Sequence, residues 1–174
     1  MELVYANQQF SDEFKKHSEW IGQILGKEMI LIEHIGSSAV PNLLTKPIID
    51  ILVVVQEIEK IDVTYPLWEV ENFEVKGEFG IPYRRYFCNE QADFGVHVHI
   101  YDQFSKKEIL RHLAVRNFLR THPDICVDYS ELKQQIINKN CNRAEYQQQK
   151  SKFIGAVEQL ALVWEETFKI PNKN

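Results

Sequence analysis

The stretch IEHIGSSAVPNLLTKPIIDILVVV, residues 32–55, sets one carboxylate, Asp50, among Ile48, Ile49, Ile51 and Leu52. A buried, ionised Asp is destabilising by several kcal/mol unless it is paired or bound to metal. Asp50 therefore needs a partner or a strand end that opens onto a site. Strand alternation puts Lys46, Ile48, Asp50, Leu52 and Val54 on one face, so the polar residues stand at the strand's start and the face then turns apolar. This is either a strand leaving a polar site for the core or a structural Lys–Asp pair at a sheet edge. Just upstream lie Gly36, Ser37 and Ser38. Free N–H groups at a helix start, approached past small residues, bind phosphate; an ordinary tight turn with a serine cap uses the same residues.

Further along, VHVHI puts His97 and His99 on one strand face with Tyr101, and Val96, Val98 and Ile100 on the other. Two imidazoles at i and i+2 suit joint metal ligation or joint contact with an anion. Between Lys106 and Arg120 the chain carries five Lys/Arg and one acid, Glu108, with His112, Arg116 and Arg120 in one helical row and Arg111 beside it. Such a face is either solvated or an anion clamp, because Arg makes bidentate contacts to phosphate. Lys150 extends an apolar helical stripe of Tyr146, Phe153, Val157, Leu160, Ala161 and Trp164, and it either snorkels to solvent or points into a cleft.

The elements that must position these groups follow from periodicity. Asn7 caps a helix over 8–25 whose apolar face holds Phe10, Phe14, Ile21, Ile24 and Leu25. MILIEHI and IIDILVVV read as strands, with a turn and room for a short helix between Gly36 and Thr45. A helical stretch through Ile58, Ile61, Leu67, Trp68 and Val70 is interrupted by Pro66; FEVKGEF, YRRYFCN and FGVHVHIYD then read as strands. Helices over 106–121, 123–138 and 143–168 finish the chain. Strands before helices predict an α+β domain, a mixed sheet packed on helices, and a single domain over 1–174.

With 44% hydrophobic and 26% charged residues, this is an ordinary globular composition. A net charge of -5 argues against general nucleic-acid binding. Cys88, Cys126 and Cys141 have no C-x-x-C spacing, which fits a reducing cytoplasmic setting rather than a disulfide framework or structural zinc. MELVYANQQF lacks the features of a secretion signal, and IIDILVVV is too short to span a membrane.

Taken together, IEHIGSSAVPNLLTKPIIDI, GIPYRRYF, HVHI, RHLAVRNFLRTHP and YQQQKSKFI resemble, in order, the blocks of the bacterial GrpB family. Ser38 stands where that family commonly has Thr, Asn42 where it has Gly, and Val115-Arg116-Asn117 where Phe-Arg-Asp is common. The family in turn resembles the nucleotidyltransferase superfamily, with the fold of DNA polymerase beta. That implies a nucleotidyltransferase-like sheet with a C-terminal helical extension from about residue 106. It also implies a phosphate-binding turn at Gly36 and Ser37, with Asp50 as one of the metal-holding acids. Ile48 occupies the position of the first acid, and His97 and His99 stand on the later strand, so the two-metal site is degenerate. One Asp with two imidazoles is a poor site for two Mg²⁺ ions and better suits one borderline metal such as Zn²⁺ or Mn²⁺, or no metal.

The expected site therefore has Asp50, His97 and His99 in the catalytic and metal-ligating roles. Gly36, Ser37, Ser38, Lys46, Arg84, Arg111, Arg116 and Lys150 are expected to hold the phosphate of a nucleotide or other phosphorylated small molecule. The expected activity is ligand binding with metal-assisted nucleotidyl or phosphoryl transfer. The alternatives are a non-catalytic nucleotide-binding sensor module and a metal-dependent phosphoester hydrolase.

Overall fold

The computed structural model describes residues 3–91, 93–139 and 142–169, with the backbone alone at 143, 168 and 169. Cys141 lies outside them. The elements in chain order are β1 (Val4–Tyr5), α1 (Gln8–Leu25), β2 (Met29–Ile35), β3 (Leu44–Thr45), β4 (Ile48–Val55), α2 (Tyr65–Val70), β5 (Glu74–Gly77), β6 (Arg84–Asn89), β7 (Gly95–Asp102), α3 (Lys106–Thr121), α4 (Pro123–Asn138) and α5 (Arg143–Lys169). No described helix is long and apolar enough to cross a membrane.

The two most apolar strands take the middle of the architecture. A five-stranded sheet runs β2-β4-β7-β6-β5; β4 and β7 are parallel and the other pairs antiparallel. The result is a mixed α+β fold. Flanked on both sides, β4 is buried from Ile51 to Val55, which is why its sequence is a nearly unbroken apolar run. Alternation then divides its residues. Ile49, Ile51, Val53 and Val55 join Val96, Val98, Ile100 and Phe87 against Phe10, Ile21 and Leu25 of α1 and Trp68 of α2. On the other face, Leu52 and Tyr101 pack with Ile35 beneath Ile109 and Leu113 of α3.

Asn7 caps α1 as expected, its side chain accepting from the Gln9 N–H at 2.9 Å, a contact worth about 1 kcal/mol. Pro66 falls in the first turn of α2, after a 3₁₀ stretch over Ile58–Thr64, so the break in that helix is real. Two strands escaped the periodicity. β1 and β3 have two residues each and pair with one another as a separate ribbon, below the length at which alternation can be read. β5 is also shorter than FEVKGEF, because Gly77 and Phe79 both adopt positive φ and end it. Asn42 has φ 63°, the left-handed region that Asn tolerates best after Gly, so a position commonly Gly in the resembling family accepts it here.

Candidate functional site

A cleft of about 340 Å³ opens where β4 and β7 begin. The parallel register puts Asp50 beside His97, and Leu52 beside His99; the β6 pairing sets Tyr86 beside His99. All four polar groups therefore leave the same sheet face. Ser37, Thr45, Lys46 and Ile48 also line the cleft, as do Phe79 and Tyr86. α4 and α5 supply Lys133, Tyr146, Gln147 and Lys150.

Asp50 has the partners that its apolar setting demands. Its Oδ1 lies 3.5 Å from His97 Nδ1 and 4.0 Å from His99 Nε2. Burial alone would raise the acid, but hydrogen bonds from His97 and His99 and their charge outweigh it, holding the carboxyl well below its usual range. His97 reaches the other way as well, with Nε2 3.1 Å from Glu90 Oε1. Burial disfavours its cation, yet bonds and charge from Asp50 and Glu90 prevail and raise it. His99 goes down, because burial dominates over Asp50 there. Its Nδ1 is buried without a hydrogen-bond partner in the structure, while its ring lies 4.9 Å from that of Tyr86 and 5.3 Å from that of His112. His112 is lowered further, by burial, His99 and Arg111, and its Nε2 sits 3.2 Å from the Tyr101 hydroxyl.

The glycine of the Gly-Ser-Ser turn has a physical reason. Gly36 has φ 71°, and a Cβ there would stand 3.0 Å from both Cβ and Cγ of Asp50 and collide with its carboxylate. Only glycine lets the backbone rest on the acid. The expected helix start is a single 3₁₀ turn, Ser37–Ala39, in which Ala39 and Val40 donate back to Gly36 and Ser37. Ser37 faces the cleft, whereas Ser38 turns inward and bonds His34 at 3.0 Å. His34 belongs to the other sheet face, stacked on Phe14 at 4.9 Å, and burial holds it down at about 4.

The cations divide differently from expectation. Lys46 and Lys150 line the cleft, Lys46 over the Tyr146 ring at 4.7 Å. Arg111 and Arg116 are not among its lining residues. Arg111 pairs with Glu108 at 2.5 Å and with Glu158 of α5 at 3.6 Å. Arg116 is buried and binds Glu33 at 2.5 Å and the His34 carbonyl at 3.0 Å. The basic row of α3 thus ties that helix to β2 and, through Arg120 and the Ala39 carbonyl, to the serine turn. Helical spacing shows that a row exists but not which neighbour it faces. Arg84 is likewise buried, spent on the Glu78 and Phe79 carbonyls below the aromatic wall. Reading the sequence also missed Lys133, Tyr86 and Tyr146 as cleft residues. A signal for Lys133 was present: Tyr129, Lys133 and Ile136 follow helical spacing, and all three are buried.

Among the described residues, no group of three or more His, Cys, Asp or Glu side chains is arranged to hold a metal ion. Asp50, His97 and His99 are engaged with each other instead.

The GrpB protein family matches residues 1–160. The UPF0157 protein YqkA of Bacillus subtilis (strain 168) is 35% identical over 167 residues, covering 95% of this chain and 48% of the relative. The UPF0157 protein BH1888 of Halalkalibacterium halodurans is 30% identical over 145 residues, 76% of this chain and 67% of that one. The chain thus spans about half the length of the Bacillus subtilis relative. The crystal structure of conserved protein GrpB from Enterococcus faecalis superposes with a TM-score of 0.89 at 39% identity, covering 94% of this chain and 99% of that one.

Proposed function

The chain belongs to the GrpB family, and from its own cleft we propose that it binds a nucleotide or another phosphorylated small molecule. One observation carries this reading: lysines from three separate segments, Lys46, Lys133 and Lys150, face one cleft whose carboxylate, Asp50, is already engaged by two histidines. Amines gathered this way repel one another when protonated, and a multiply charged anion relieves that repulsion and favours their charged form. Phosphate suits such a site, being charged and rich in acceptor oxygens. Phe79 and Tyr86, stacked with centroids 5.5 Å apart, offer an aromatic wall to the rest of the ligand. Calorimetric titration with ATP, ADP and inorganic phosphate tests the reading. Lys150→Ala is expected to weaken binding about tenfold or more, the worth of one charge-assisted contact. If none of these anions binds the wild type, the reading is wrong.

A catalytic extension has its own support, since both histidines aim a ring nitrogen at the same Asp50 oxygen. In this reading the two histidines would exchange their contacts to Asp50 for a shared Zn²⁺ or Mn²⁺ held by all three, which when bound would polarise a phosphoryl oxygen. The resemblance to nucleotidyltransferases bears on Asp50 alone, since His97 and His99 depart from that pattern. Ile48 in place of a second acid limits the site to one metal, so a standard two-Mg²⁺ transfer is not part of the proposal. Zn²⁺ titration monitored by calorimetry decides it. His97 must shed its proton to ligate, and its value is raised, so binding should release protons and weaken as pH falls, starting above the ordinary histidine value of about 6.5. A protein that binds nucleotide but neither metal is the non-catalytic binding module.

A further inference from the structure

The deepest cation of the cleft has no anion of its own. Lys133 is 1% exposed, yet it lines the cleft. Its Nζ donates to the Leu44 carbonyl and to Ser37 Oγ at 3.4 Å, and stands 3.9 Å from the Tyr129 ring centre. Every one of these partners is neutral. A buried ammonium without a carboxylate is strongly destabilising, and a lysine escapes that by giving up its proton.

The groups around it leave that choice open to a ligand. From α5, Lys150 and Tyr146 face the same space; from the segment leading into β4 comes Lys46, and from β4 itself Asp50, engaged by His97 and His99. α4 itself adds Tyr129 and, one turn back, Cys126. Burial first, then the charge of Lys150, bring the ammonium down to about 7, with Cys126 opposing. Near pH 8 the amine is therefore mostly neutral in the unliganded protein.

We propose that Lys133 is the recognition group for a dianionic, phosphate-type head, and that the ligand is its missing counter-ion, so that binding draws a proton onto the Lys133 amine. The proposal rests on the phosphorylated-ligand reading of this cleft and adds which residue holds the anion and what the exchange of protons is. The balance is simple: the amine takes a proton from solvent, the ammonium and the dianion form an ion pair, and no covalent bond changes. Ser37, already within reach of Nζ, donates its hydroxyl proton to the same anion.

Inorganic sulfate is the probe, because it stays dianionic between pH 6 and 8 and cannot itself supply the titration. Calorimetry of the full chain in two buffers of different ionisation enthalpy should show proton uptake at pH 8 and much less at pH 6. Lys133→Met should abolish the uptake and weaken sulfate by about 10- to 100-fold, as expected for loss of a charge-assisted contact. Lys150→Met should weaken sulfate too but also reduce the uptake at pH 8, since Lys133, freed of that neighbouring charge, is then more protonated before sulfate binds. Equal sulfate affinity in Lys133→Met and wild type, or binding at pH 8 without proton uptake, overturns the inference and leaves the cleft reading standing. Wild type that binds neither sulfate nor inorganic phosphate overturns both. If Lys133→Met does not fold, the two-buffer measurement on wild type still decides.

Discussion

The two faces of the central sheet share strands, length and neighbours, yet they have opposite characters. One face carries Ile49, Ile51, Val53, Val96, Val98, Ile100 and Phe87, and α1 and α2 close over it, with the buried His34 stacked on Phe14 at its β2 edge. The other is split along its length. Leu52, Tyr101 and Ile35 form a small sealed cluster under α3, while Asp50, His97, His99 and Tyr86 stand at the open end. The first face is built to stay folded, and the second places charge where the helices stop covering it. Two-residue alternation makes this division possible. A polar residue inserted at every second position of β4 or β7 leaves the opposite face untouched.

The comparison predicts that single changes on the dry face hurt stability more than changes at the open end. Ile51→Ala should lose about 2–5 kcal/mol, the range for truncating a fully buried aliphatic residue, measured by urea denaturation. If Ile51→Ala costs less than Asp50→Asn, the faces do not divide the work in this way.

Gly36→Ala comes next and links the faces' backbone to the site. Its φ of 71° alone disfavours a side chain, and the new methyl group meets the Asp50 carboxylate. A loss of about 1–3 kcal/mol is expected from the backbone conformation. The double variant Gly36→Ala/Asp50→Ala should recover part of the loss, because the collision is removed while the φ penalty remains. Simple additivity of the two changes would show that the close approach does not matter.

Asp50→Asn is smaller and depends on pH. The depressed Asp50 acid contributes stability above about pH 4, lost as pH falls through its folded value. His97, whose folded value is raised, contributes stability that is full below about pH 6.5 and fades as pH rises through that folded value. The pair is thus worth most between those limits. Asp50→Asn should cost about 1–2 kcal/mol near pH 5.5 and less at pH 8.5. Denaturation at the two pH values checks this, and equal losses would rule out the ion pair as the cause. His34 adds an acid-side effect of its own. Held down at about 4, it is buried neutral, so stability should rise from pH 4 to about 6.5 as the unfolded chain gives up that proton.

How much of this the sequence discloses depends on range. The parity of IIDILVVV and VHVHI assigns Asp50, His97 and His99 to one side of their strands, and the register in the sheet makes them neighbours. The long helices and the cap at Asn7 are equally local and were legible. Direction across the fold was not. The row His112, Arg116 and Arg120 looks the same whether it meets solvent, a ligand or, as here, β7, β2 and the serine turn. Leu160 shows the opposite error: it continues an apolar stripe by spacing but is exposed. Lys133 lay in view on a buried stripe, but a lysine there reads as a snorkelling residue until the cleft above it is known.

The smallest expected effect sharpens the comparison most. Glu90 is exposed, and its bond to His97 Nε2 at 3.1 Å stands at the outer end of the Asp50–His97–Glu90 chain. An ion pair so open to solvent is worth little, so Glu90→Gln should alter stability by no more than about 0.5 kcal/mol. The same change should lower the His97 titration midpoint, read by NMR of the ring protons, but less than Asp50→Asn lowers it. The reason is position: Asp50 acts from the sheet, where screening is weaker, and Glu90 acts from the solvent-exposed rim, where its charge is screened. If Glu90→Gln moves His97 as far as Asp50→Asn does, the cleft's charge is set from its rim rather than from β4. The contrast between a dry face and a deliberately charged strand end would then need to be drawn at the surface instead.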